Sequence, residues 1–318
     1  MKTRRARQVM LVVGVAVILT GCAQKNFKEP IAKFQKSTDE AAAAISSYYT
    51  ELNRFERDLY FQERLVEPET RVLLIDETGK PTLLLGDPFD PESIQARIAL
   101  IRQIAIYGEK LSDLAGNDAP DRFKMGVTEL KTSLGNLVGR FEDLANKPDN
   151  PDKAAKDYVE PIGSIVDVIG QTLIERKRQK ALKLAILNGE KPITEILDFL
   201  ERDLKKYVES TQRTGRRQAL SELVNKYNNT PNRDKRPWIE LKMMLDEIQQ
   251  AAEAVRIVSA SQPADVVIGM REVYRELIKA AKAPPPSDLG SIISALEEYE
   301  AKVKELGEAV IKLRELNL

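Results

Sequence analysis

Along most of this 318-residue chain apolar residues recur in alternating steps of three and four. That spacing aligns side chains on one face of an α-helix and cannot serve a β-strand, whose faces alternate at every second residue. Near the C-terminus the series is Leu289, Ile292, Leu296, Tyr299, Val303, Leu306, Val310 and Leu313, with no polar member. An earlier series runs Ile31, Phe34, Thr38, Ala41, Ile45, Tyr48, Leu52, Phe55, Leu59, Gln62 and Val66, interrupted only by Thr38 and Gln62. It predicts a rod of about 54 Å at 1.5 Å per residue. Two further series pass through Phe123, Val127, Leu130, Leu134, Leu137, Phe141 and Leu144, and through Trp238, Leu241, Leu245, Ile248, Ala252 and Val255.

Turn and cap residues supply the boundaries. Asp90-Pro91 and Asn150-Pro151 each put a capping side chain before a proline at the first helical position. Asn188-Gly189 closes one helix, and Pro192 opens the next, which carries Ile193, Leu197, Leu200, Leu204 and Tyr207. Residues 231–237 read as a polar linker, Pro263 begins or kinks a helix bearing Val266, Met270, Val273 and Leu277, and Pro161 interrupts the 151–188 segment. Pro284-Pro285-Pro286 breaks the chain before Ser287, a suitable N-cap. The pattern gives eight helices on short loops, hence antiparallel neighbours. The expected fold is all-α: an elongated antiparallel bundle with coiled-coil-like heptad seams.

One stretch departs from the helical period. Arg71 to Ile75 and Pro81 to Gly86 are short apolar runs flanking a turn with Gly79, which suggests a β-hairpin over 71–86. Its bland role is to cap one end of the bundle. Its sharper role is contact with a membrane or partner through Leu73, Leu74, Ile75, Leu83, Leu84 and Leu85. Some helical pore-forming toxins carry such an apolar hairpin between long helices, and the likeness is one of layout alone.

Composition removes much chemistry. The chain has no histidine and one cysteine, so the commonest general base and metal ligand are missing, together with intramolecular disulfides and thiolate zinc sites. No Gly-rich phosphate loop, Gly-x-Ser-x-Gly elbow or Ser-x-x-Lys occurs. Glu297, Glu298 and Glu300 lack the spacing of a calcium loop and read as a solvated helix face. The basic run Arg176, Lys177, Arg178, Lys180 and Lys183 has Glu195, Asp198, Glu201 and Asp203 on the following helix to neutralise it. This run and a second one, Arg213, Arg216 and Arg217, could each meet anionic lipid headgroups or an acidic partner, but they read as solvated, internally paired charge, and the Tyr48-Tyr49 pair reads as packing. The expectation is a non-enzyme with no cofactor and no metal.

The N-terminus speaks to location. Lys2, Arg4, Arg5 and Arg7 precede an apolar run from Val9 to Leu19, about eleven residues, which is too short to cross a bilayer core that needs about 20. The run ends in Leu19-Thr20-Gly21-Cys22, and there it resembles the lipobox of bacterial lipoproteins. The resemblance covers the first 22 residues and implies that Cys22 is acylated and becomes the mature N-terminus. Ala23 stands where an Asp would favour the inner membrane, so it also implies an outer-membrane anchor facing the periplasm. The expected organisation is a signal peptide at 1–21, a tether at 22–28 and a helical domain over 29–318. Removing residues 1–21 leaves 45 basic against 49 acidic residues, which argues against nucleic acid as a partner.

Three functions follow from these residues. The first is a lipid-anchored scaffold or interaction protein of the cell envelope, with another envelope protein as partner. The second is a carrier or sensor of apolar molecules, with a cavity lined by Ile162, Ile165, Ile169 and Leu173 and space left by Gly163 and Gly170. The third is a membrane-acting helical protein using residues 72–85.

Overall fold

A computed structural model of the chain describes residues 27–66, 91–115, 120–147, 152–172, 178–206, 211–260, 262–284 and 289–316. Its helices are α1 (Lys28–Val66), α2 (Pro91–Ala115), α3 (Pro120–Ala145), α4 (Ala155–Thr172), α5 (Arg178–Asn188), α6 (Glu190–Asp203), α7 (Thr211–Asn228), α8 (Trp238–Ala260), α9 (Pro263–Lys282) and α10 (Gly290–Glu315). Among the described residues there is no strand, and the protein is an all-α helical bundle. The 71–86 hairpin, the leader with Cys22, and Ser287 lie outside the described residues.

Seven helices close a ring in which each packs on the next: α1, α2, α3, α4, α6, α9, α10 and back to α1. α5 lies against α2, α4 and α9. Short connections make α2 antiparallel to α3 and α9 antiparallel to α10, as Lys147 meeting Glu92 and Gly269 meeting Tyr299 show. The seam between the first and last helices is different. Ser37 meets Glu300 and Arg54 meets the carbonyl of Leu313, so α1 and α10 run parallel. No short loop joins those two, so no hairpin forces them antiparallel.

The three-and-four series mark the core. Ile31, Phe34, Thr38, Ala41, Ile45, Tyr48 and Leu52 are buried on α1, and Ile292, Leu296, Tyr299, Val303, Leu306, Val310 and Leu313 on α10. Thr38, a polar break in the α1 series, is accommodated: its hydroxyl donates to the Phe34 carbonyl at 2.8 Å and accepts from Tyr299 Oη at 3.5 Å. Val127 through Leu144 on α3 and Val266, Met270, Val273 and Leu277 on α9 are likewise buried.

The structure moves several boundaries. The 151–188 segment comprises α4 and α5, and Thr211–Asn228 forms α7, which the apolar spacing does not reveal. Asn150-Pro151 does not open α4. Asp152 Oδ1 accepts from the backbone N–H groups of Ala154 at 3.1 Å and Ala155 at 3.2 Å, satisfying donors that the first turn leaves over. Pro161 lies inside α4 without ending it. α6 begins at Glu190, two residues before Pro192, and α10 begins at Gly290 after Leu289, later than the Ser287 cap predicts. Pro263 does open α9.

The largest correction concerns α8. Of the predicted seam, Trp238 and Leu245 are exposed, while the buried residues are Ala251, Ala254, Ile257 and Val258. The reason is tertiary. α7 and α8 form an antiparallel hairpin, closed by a turn with Asn232 at φ 50°, a left-handed conformation asparagine tolerates. Only the base of that hairpin packs on the bundle, so most of α8 has a single neighbour.

Candidate functional site

Among the described residues, a charged cluster inside the ring brings together side chains from several elements around Arg97. α2 delivers Arg97, 8% exposed, and the end of α6 delivers Asp203, 6% exposed. Arg97 Nε donates to Asp203 Oδ2 at 2.8 Å. Its Nη1 donates to Asp152 Oδ2 at 2.7 Å and to Ser93 Oγ, and Nη2 to Asp152 Oδ1 at 3.3 Å. Tyr158 Oη on α4 donates to Asp203 Oδ2 at 2.7 Å. The Tyr158 ring lies 5.5 Å from the guanidinium, stacks on Phe141 at 4.8 Å and meets Phe199 edge-on at 5.7 Å.

One cation faces two carboxylates, and neutral groups make up the balance. Asp152 caps α4, whose positive end favours an anion, and Ser93 Oγ also donates to it. Burial favours the neutral acid, yet Arg97, Ser93 and the Ala155 N–H together hold the Asp152 carboxyl below its usual range. For Arg97, burial opposes the charge, and Tyr158, Asp152 and Asp203 outweigh it, raising its pKa. Burial raises Tyr158 well above an ordinary phenol, with Asp203 adding to the effect. Burial raises Tyr49 on α1 as well, partly offset by Arg97. The guanidinium is thus a fixed charge that ties α2, α4 and α6 together in a closed region of the core.

A second polar device holds the end of α5 to α2 and α9. Tyr107 Oη donates to the Ala185 carbonyl at 2.7 Å and Tyr274 Oη to the Ile186 carbonyl at 3.0 Å. These are carbonyls of the last turn of α5; that of Ala185 also accepts from the Gly189 N–H at 3.0 Å, so the Tyr107 hydroxyl is its second donor. Gly189 sits between them because a Cβ there would come within 2.6 Å of both hydroxyls. Its φ of −73° is ordinary, so the demand is for space.

The sequence-predicted sites fare unevenly. Cys22 and the six apolar contacts Leu73, Leu74, Ile75, Leu83, Leu84 and Leu85 lie outside the described residues. Ile162 and Ile165 are packed into the common core, and Ile169, Gly170 and Leu173 have no described side chain. Of the basic 176–183 run, residues 176–179 have no described side chains, and the acids of α6 have the following partners among the described residues. Asp198 and Glu201 both take Arg271 of α9, Glu201 at 2.6 Å, Asp203 takes Arg97, and Glu195 lies 3.8 Å from Lys191. Tyr48 and Tyr49 are both buried, and Glu297, Glu298 and Glu300 face solvent. Among the described residues no group of three or more acids or cysteines is placed to hold a metal ion. No described helix is long and apolar enough to cross a membrane.

Arg97 and Asp203 could have been noticed. Arg97 lies three and four residues before Leu100 and Ile101, and Asp203 three after Leu200, so both stand on apolar faces where a charge needs a partner. Comparison with known proteins adds no relative: no family model, no curated protein and no solved structure matches this chain.

Proposed function

We propose that this protein is a lipid-anchored, non-enzymatic scaffold of a bacterial cell envelope. The observation that carries the reading is the run Leu19-Thr20-Gly21-Cys22 at the end of a short apolar segment behind four cations. Acyl chains on Cys22 would anchor the protein without a span, since two or three chains hold where one is marginal. The bundle beyond the tether suits a holding role. Its buried Arg97 is matched by Asp152 and Asp203, and among the described residues the α7–α8 hairpin exposes large apolar groups. An envelope protein is the expected partner, the outer membrane facing the periplasm the expected place, and neither cofactor nor nucleic acid is called for. Affinity purification from detergent-solubilised envelopes tests this. A specific envelope protein should co-purify with the wild type and be lost with Cys22→Ser, whereas no specific protein in either sample would refute it.

A further inference from the structure

Seven large apolar side chains are exposed in the described residues, and four of them, Trp238, Ile239, Met243 and Leu245, fall within the first two turns of α8. The others, Met125 on α3 and Ile293 and Ile311 near opposite ends of α10, are isolated and need no explanation. Trp238 is 72% exposed, Met243 59% and Ile239 51%. α7 covers only the opposite side of α8 and packs on no other helix to any extent. The patch therefore has no cover within the described chain.

We propose that the tip of the α7–α8 hairpin is a docking site for an anionic lipid surface. Three features select that occupant. First, at about 100° per residue the four apolar side chains spread over roughly 160° of the α8 circumference, wider than the stripe of about 100° that one amphipathic helix covers. A headgroup layer moulds itself around such a surface. Second, Trp238 is the most exposed of the four, and a tryptophan favours the boundary between headgroups and acyl chains. Third, residues 226–246 carry Lys226, Arg233, Lys235, Arg236 and Lys242 against Asp234, Glu240 and Asp246. Arg236 pairs with Glu240 at 3.1 Å and Lys242 with Asp246 at 2.5 Å. That leaves Lys226, Arg233 and Lys235 to outweigh Asp234 beside the apolar patch. Lys242 and its partner Asp246 fall within the same arc, so that pair adds no net charge to the patch.

The position of the tip gives the contact a consequence, which rests on the anchoring reading. Ser37 is level with Glu300, and Arg256 and Ala260 line one cleft with Lys312 and Lys302 of α10. α8 therefore runs on past the C-terminal end of α10, and its tip lies roughly 50 Å along the long axis from the start of α1. A chain held at Cys22 and at Trp238 together must lie along the membrane, with its flanks open to the envelope.

Trp238 is the chain's one tryptophan, so its fluorescence reports the tip alone. Purified protein, as wild type and as Cys22→Ser, is added to vesicles of phosphatidylcholine and to vesicles of phosphatidylcholine with phosphatidylglycerol. The proposal predicts that anionic vesicles shift the emission to shorter wavelength in both proteins and that lipids brominated near the headgroup quench it. Neutral vesicles leave it nearly unchanged. Arg233→Gln with Lys235→Gln, checked for unchanged helical ellipticity, weakens the partition of the Cys22→Ser protein about thirtyfold, as expected for the loss of two surface cations. Emission that ignores anionic vesicles in both proteins overturns the proposal. So does a shift that appears without vesicles and grows with protein concentration, which would make a second copy the occupant, or one produced only by delipidated envelope protein. Failure of the anchoring reading shows separately, as wild type and Cys22→Ser binding equally.

Discussion

Replacing Arg97 by methionine is the sharpest probe of how the ring is held together. Methionine has nearly the volume of the arginine stem, so the substitution removes charge and donors while leaving little void. It strands Asp203, 6% exposed, and takes from Asp152 the cation at 2.7 Å. Removing one partner of a buried ion pair costs about 3–5 kcal/mol, a large share of the 5–15 kcal/mol that holds a typical domain folded. At about 2–4 °C per kcal/mol for chains of this general size, the melting temperature should fall by roughly 10 °C. Adding Asp203→Asn removes a stranded charge and leaves an oxygen for Tyr158 Oη, so the double variant should recover about 1–2 kcal/mol of the loss. Urea unfolding followed by helical ellipticity measures all of these. The pH dependence supplies an independent sign. In the wild type Asp152 is held below its ordinary value, so its contribution is full above pH 4 and is lost as pH falls through the lower folded value. In Arg97→Met the guanidinium that does most to hold Asp152 low is gone, so this loss of stability toward acid pH should be weaker than in the wild type. An Arg97→Met protein within 1 kcal/mol of wild type, or a double variant less stable than the single one, would refute the reasoning.

Further outcomes follow from the tyrosines and from Gly189. Gly189→Ala should destabilise by about 1–3 kcal/mol through the clash with Tyr107 and Tyr274, and Tyr274→Phe in the same chain should restore part of it; thermal melts that show Gly189→Ala stabilised, as helix propensity alone would have it, would contradict this. Tyr49, Tyr107, Tyr158, Tyr274 and Tyr299 all have raised pKa values, chiefly from burial. Their neutral forms favour the folded state below pH 10, and that contribution is lost as pH rises above it. Tyrosinate absorbance should therefore show these five ionising together with loss of helix, against a smooth titration of all nine tyrosines. Phe141→Ala, at a fully buried ring stacked on Tyr158, should cost about 3–5 kcal/mol in the same urea assay.

The all-α bundle and the buried faces of α1, α3, α6, α9 and α10 were legible because a helix packed on several neighbours must place its apolar residues at the helical period. α8 was not legible for the same reason inverted. Trp238, Ile239, Leu241, Met243, Met244 and Leu245 point to many sides of the helix, so the period selects no face, and its projection beyond the bundle leaves the expected seam exposed. α7 escaped notice because its outer face, with Arg217, Gln218, Glu222 and Asn225, is wholly polar and its inner face meets one helix alone. The Arg97 centre needs residues from α2, α4 and α6, brought together only by ring closure. Asp152 shows the limit of local signals: Asn150-Pro151 looks the better cap, but Asp152 can also reach Arg97, and the tertiary pair decides where α4 starts.

A thioether-linked diacylglycerol on Cys22 is the point on which the location and the scaffold role both depend. Intact-mass and N-terminal peptide spectrometry of protein isolated from cell envelopes measures it directly. The account predicts that the chain begins at Cys22, carries acyl chains there and lacks residues 1–21. A free Cys22 thiol on a chain that still holds its first 21 residues would contradict it.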